Sequence, residues 1–120
     1  MSLFRAIPIH VHAALEVLAA PLLLVAPFFL GFDYLAGALS IALGVLLIGL
    51  GTSLYGNAER GNLPLSAHAG FDYTIAVLTI AAGIVAGIAG DRIATVFLVG
   101  FGSAHMALTA STRFSRPLGA

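Results

Sequence analysis

The chain has no cysteine, no tryptophan and no lysine, and charged residues make up only 8% of its 120 positions. The missing cysteine excludes disulfides, thiolate iron–sulfur ligation, covalent c-type haem and thiol catalysis. All five basic residues are arginine, so a lysine Schiff base to retinal or pyridoxal is excluded as well. Formal net charge is zero with histidine neutral, and no basic run occurs. The electrostatic footprint of a nucleic-acid partner is therefore missing. No Gly-rich phosphate loop and no Gly-x-Ser-x-Gly turn occurs, and the loops are too short to hold a hydrolytic site outside a membrane. No catalytic residue is assigned.

What the chain has in abundance is apolar surface: 60% hydrophobic residues and a mean hydropathy of +1.07. That balance belongs to a protein solvated by a lipid bilayer. Four apolar segments, 8–31, 34–56, 66–89 and 92–113, are each long enough, at about 1.5 Å per residue, to cross a hydrocarbon core of about 30 Å. Gly31-Phe32-Asp33 and Gly90-Asp91-Arg92 read as tight turns, and 55–64 as the one polar loop. The expected fold is an all-α bundle of four transmembrane helices. Arg5 before an apolar run imitates a signal peptide, but Glu16 and the length of the run mark a retained helix. Arg5, Arg60, Arg113 and Arg116 fall on one side of this arrangement, and only Arg92, beside Asp91, on the other. This bias predicts both termini in the cytoplasm, with the chain in a bacterial inner (plasma) membrane.

The few ionisable residues inside the apolar segments are patterned. Pro8, His12 and Glu16 are spaced four apart, and Pro64, His68 and Asp72 repeat the spacing. A His and a carboxylate four apart share one helix face. A shift of 56 residues superposes these triplets and also places Gly31 on Gly87 and Gly44 on Gly100. The chain therefore reads as a duplicated hairpin, repeat 1 over 8–56 and repeat 2 over 64–113. Two spans per unit make both copies insert the same way, related by a pseudo-two-fold axis along the membrane normal.

The run Val17-Leu-Ala-Ala-Pro-Leu-Leu-Leu-Val-Ala-Pro27-Phe-Phe-Leu-Gly31-Phe32, followed by a Gly-rich second span, resembles the SPW-repeat membrane proteins. Ala26-Pro27-Phe28 stands where those proteins carry Ser-Pro-Trp. The resemblance implies two tandem transmembrane hairpins and brings no chemistry with it.

Small residues mark the expected helix contacts, because bilayer helices associate through close backbone approach and interhelical hydrogen bonds. Gly37, Ser40, Gly44 and Gly51 form such a stripe on the second segment. Ala76, Thr79, Gly83 and Gly87 do so on the third, and Thr95, Gly102, His105 and Thr109 on the fourth. Gly83 and Gly87 make a GxxxG that serves either close intramolecular packing or a dimerisation face, and the expected partners beyond the lipid bilayer are a homo-oligomer or a larger membrane complex. By helical rise, Glu16, Asp72 and His105 lie at about the same depth, roughly 10 to 12 Å from one end. The expectation is one buried layer of His12, Glu16, His68, Asp72 and His105, with Tyr55 and Tyr73 near its edge.

Three chemistries suit this layer. Imidazoles with carboxylates suit zinc, iron or manganese. A single axial histidine among small residues, such as His105, suits haem or a chlorin, with His12 and His68 as further candidates. A desolvated Glu16 or Asp72 beside a histidine suits proton-coupled transport. Against all three stands a structural reading, in which each carboxylate is clasped by its own His one turn earlier. His10 is expected in the headgroup zone, and Phe28, Phe29 and Tyr34 as interfacial aromatics.

Overall fold

A computed structural model describes residues 5–55 and 64–115. The side chain of Tyr55, the loop residues Glu59 and Arg60, and Arg116 lie outside the described residues. The chain folds into four helices: α1 (Ile9–Leu30), α2 (Tyr34–Thr52), α3 (Leu65–Ile88) and α4 (Arg92–Ala110), with a short 3-10 turn at Ser53–Tyr55 after α2. All four helices are long and apolar enough to span a membrane, as in an integral membrane protein. Large side chains point outward, with Leu18, Phe28, Phe29, Ile88 and Val96 each more than 70% exposed. The interior instead collects alanine, glycine and a few leucines. This inversion of a soluble core is what lipid solvation permits, since apolar side chains gain little by leaving the bilayer for a neighbouring helix.

The helices pack in the order α1, α2, α3, α4 around the bundle. The α1–α2 and α3–α4 hairpins are tight, α2–α3 joins them, and α1–α4 is the loosest edge. The turns show why the hairpins close. Gly31 ends α1 at φ 69° and Gly90 follows α3 at φ 97°, backbone conformations that glycine adopts without strain. Within α1, Pro27 cannot donate to the Leu23 carbonyl four residues back. Ser40 of α2 fills that vacancy, its hydroxyl donating to Leu23 O at 2.6 Å. A helix-breaking residue thereby becomes an inter-helix bond.

The small-residue stripes face inward as expected on α2, where Gly37, Ser40, Gly44 and Gly51 are all buried. On α3 and α4 the GxxxG packs within the chain: a Cβ on Gly83 would meet Val99 and Leu98 of α4, and one on Gly87 would meet Thr95. The Thr95 hydroxyl donates to Gly83 O at 2.8 Å.

Several helix boundaries differ from the expected ones. The first span covers 9–30 instead of 8–31, one residue less at each end. The second span ends at Thr52 rather than 56, where Thr52 and Ser53 hydroxyls turn back onto the carbonyls of Ile48 and Leu50. The third span covers 65–88 instead of 66–89. The fourth ends at Ala110 rather than 113, because the chain leaves the helix to pair with the N-terminal segment. There Ile7 N–H donates to Ser111 O at 3.0 Å and Arg113 N–H to Ile7 O at 2.9 Å. This parallel pairing ties both terminal segments together across the end of the bundle. Ile7 and Thr112 lie 105 residues apart, so no local pattern announces the pairing.

Candidate functional site

Each ionisable side chain is placed by a helix that has a reason to come close. On α2, Gly51 lets α1 approach until a Cβ there would lie 3.2 Å from Glu16 Cβ. On α4, Gly102 presses against α3, where a Cβ would sit 2.9 Å from both Ala76 O and Ile80 N. His105, one turn further on, is thereby delivered to Asp72. Helical rise puts Glu16 about 10 Å in from the start of α1 and His105 about 8 Å in from the end of α4.

His12, Glu16, His68, Asp72 and His105 form one buried cluster, each 5% exposed or less. The Nε2 atoms of all three histidines converge on the two carboxylates. His12 Nε2 lies 2.9 Å from Asp72 Oδ2 and 3.1 Å from Glu16 Oε1. His68 Nε2 lies 3.1 Å from Glu16 Oε1 and 3.2 Å from Asp72 Oδ2. His105 Nε2 lies 3.1 Å from Asp72 Oδ1 and 3.3 Å from Glu16 Oε2. One ligand atom each from His12, Glu16, His68 and Asp72 falls within 4.8 Å of the others.

The hydrogen bonds run across the bundle. Each carboxylate keeps its own His in contact, as the structural reading expects, and the structure adds aligned partners between helices, His12 with Asp72 and His68 with Glu16, so α1 and α3 also share histidines. The i, i+4 contacts persist at 3.1 and 3.2 Å without hydrogen-bond alignment.

One tautomer follows from proton bookkeeping. Thr112 has a single hydroxyl proton, which it gives to Leu108 O at 2.6 Å. His12 Nδ1, at 2.8 Å from Thr112 Oγ1, must therefore be the donor. A neutral His12 then turns the lone pair of Nε2 toward two carboxylate oxygens. That arrangement repels unless a proton or a cation lies between them. Elsewhere in the cluster Glu16 Oε2, His68 Nδ1 and His105 Nδ1 are buried without a hydrogen-bond partner.

Two contributors escaped sequence reading. Thr112 orients His12, and it continues the spacing of His105 and Thr109 by three residues, which is the signal that would have found it. Phe114 covers the cluster at the terminal end, its ring centroid 5.3 Å from that of His12 and 6.2 Å from that of His68. Nothing in the local sequence marks it. Tyr73, expected at the edge of the layer, is 40% exposed on the outer face of α3. It follows Asp72 directly, and a helix turns successive residues about 100° apart. His10 is exposed, as expected.

Comparison with family models, with curated proteins and with solved structures finds no match. The functional reading therefore rests on the cluster itself.

Proposed function

We propose that this protein is a small membrane accessory or scaffold subunit that binds one divalent transition metal ion in its His/carboxylate layer. The observation that carries this reading is the convergence of three Nε2 atoms on two carboxylates with His12 held as an Nδ1–H donor. A metal-bound histidine commonly donates its second nitrogen to an oxygen acceptor in the same way. The N···O separations of 2.9 to 3.3 Å are close to the spacing between ligand atoms around a tetrahedral ion with bonds of about 2.0 to 2.1 Å, roughly 3.3 Å. Charge favours an ion too. Two carboxylates, neutral imidazoles and one divalent cation sum to zero, which suits a site inside hydrocarbon. Zinc, iron and manganese match this donor set.

A haem or chlorin is less well supported, because all three Nε2 atoms are engaged by carboxylates. The cavity beside His105, about 150 Å³, is also below the roughly 300 to 1,000 Å³ of ordinary small-molecule sites. The reciprocal exchange between His12–Glu16 and His68–Asp72 supports reading the chain as two tandem hairpins about a pseudo-two-fold axis, as in the SPW-repeat proteins it resembles. With both termini cytoplasmic, as the arginine bias implies, the layer lies near the cytoplasmic face.

Chelator-treated protein in detergent, titrated separately with zinc, iron(II) and manganese(II) and assayed by elemental analysis after desalting, tests the reading. One equivalent of at least one metal should be retained, and His12→Ala or His68→Ala should lose it. Wild-type protein retaining none of them would overturn the metal and leave the cluster as a structural clasp. Proton-driven uptake in liposomes, abolished by Glu16→Gln, would select transport instead.

A further inference from the structure

The three histidines of the cluster do not stand in equivalent places. His12 Nε2 and His68 Nε2 meet the same two oxygens, Glu16 Oε1 and Asp72 Oδ2. These atoms close a ring of alternating nitrogen and oxygen with edges of 3.1, 3.1, 3.2 and 2.9 Å. His105 Nε2 meets the other oxygen of each carboxylate: Asp72 Oδ1 at 3.1 Å with hydrogen-bond alignment, and Glu16 Oε2 at 3.3 Å without it.

The ring has the composition and spacing of a four-coordinate site, two imidazoles and two carboxylates each engaged through one oxygen. On its outer side a lone pair on His105 Nε2 would repel both facing oxygens, so a proton belongs there. Nδ1 of the same imidazole is buried with no acceptor for a proton, which leaves Nε2–H as the tautomer of a neutral His105. A nitrogen that carries a proton has no lone pair for a metal. It can instead fix the carboxylates. With Asp72 Oδ1 taken by a donor and Glu16 Oε2 facing the same N–H, neither group is free to turn its second oxygen onto an ion.

We propose that His105 is a positioning residue rather than a ligand: its N–H holds Glu16 and Asp72 to one oxygen each, which keeps the site tetrahedral and selects zinc over manganese. This rests on the metal reading and narrows it to one ion and four ligands, His12, Glu16, His68 and Asp72. Zinc settles in four-coordinate sites with nitrogen donors, whereas manganese(II) suits octahedral, oxygen-rich ones. Two carboxylates free to bind through both oxygens would supply the extra oxygens that manganese needs.

Chelator-treated full-length protein in detergent tests the assignment when loaded with cobalt(II), a visible reporter of coordination, and titrated in parallel with zinc and manganese(II). Wild type should give the intense visible bands of tetrahedral cobalt and bind zinc more tightly than manganese. His105→Leu keeps bulk but removes the donor. It should weaken zinc binding by about 10- to 100-fold without weakening manganese, and its cobalt bands should fade toward those of a higher coordination number. His105→Gln, which returns an N–H donor to the same position, should restore the wild-type spectrum and preference. Loss of all metal from both variants, as expected for His12→Ala, would overturn the proposal and make His105 a ligand. A wild-type spectrum and preference in His105→Leu would overturn it too and leave the residue as packing. Octahedral cobalt bands or a preference for manganese in wild type would overturn it without any variant. Each of these results requires that wild type retains metal; a wild type that retains none fails the metal reading itself, and this inference with it.

Discussion

The two ends of the bundle each use buried carboxylate chemistry to join the hairpins, and they use it differently. At the turn end, Asp91 accepts Asp33 N–H at 2.8 Å and Ala94 N–H at 3.1 Å. One oxygen caps α4 and the other ties the α1–α2 turn to the α3–α4 turn. Both donors are backbone amides, which do not titrate. At the terminal end, Glu16 and Asp72 are met by three imidazoles, and Glu16 Oε2, His68 Nδ1 and His105 Nδ1 are left over. A bundle that needed only a clasp has a cheaper one at the turn end. The donors at the terminal end are of the type that exchange protons or bind ions, at a depth where burying them is expensive.

This contrast can be broken experimentally, and the largest effect is expected at Asp72. Its two oxygens lie at 2.9 Å from His12 Nε2 and 3.1 Å from His105 Nε2. Asp72→Ala should destabilise the protein by about 3 to 5 kcal/mol in reversible unfolding from mixed micelles. Glu16→Ala should cost less, since Oε2 makes no hydrogen bond. An equal or larger loss at Glu16 would contradict the unequal roles described here.

Next in size is the helix contact that supports the site. Gly102→Ala would place a Cβ 2.9 Å from backbone atoms of α3 and should cost about 1 to 3 kcal/mol. Gly100→Ala meets nothing within 4 Å and should change stability by less than about 0.5 kcal/mol. Similar losses in both would mean that α3 and α4 do not approach as closely as they do here.

Asp91→Ala should remove about 0.5 to 2 kcal/mol, the range of a lost helix cap, while metal retention stays at the wild-type level. A loss of metal in that variant would erase the functional difference between the two ends. Thr112→Val should cost about 1 kcal/mol of stability from the His12 bond. Its metal affinity should nevertheless fall about 10- to 100-fold, as for other residues that orient a histidine ligand. Unchanged affinity there would detach Thr112 from the site.

The pattern of apolar segments made the four helices legible, because a bilayer demands about 20 apolar residues per span whatever they pack against. The twin His/carboxylate spacings made four site residues legible for a related reason: ionisable groups stand out against so apolar a chain. His105 was reachable through depth, since helical rise is constant. The bonding partners were not reachable. Four-residue spacing points His12 at Glu16, yet its aligned bond goes to Asp72 on the diagonal helix, a choice made by how α1 and α3 rotate toward each other. Thr112 and Phe114 come from a segment that joins the site only because Ile7 pairs with it from the far end of the chain.

Composition and periodicity thus determined by themselves that this protein is a set of membrane-spanning helices with histidines and carboxylates at one depth. Those properties depend on residue type and on the fixed geometry of a single helix. Which histidine serves which carboxylate and what closes the layer at the terminal end were decided only by the tertiary structure. Those outcomes depend on distances between helices, set by glycines and alanines whose contacts lie tens of residues away.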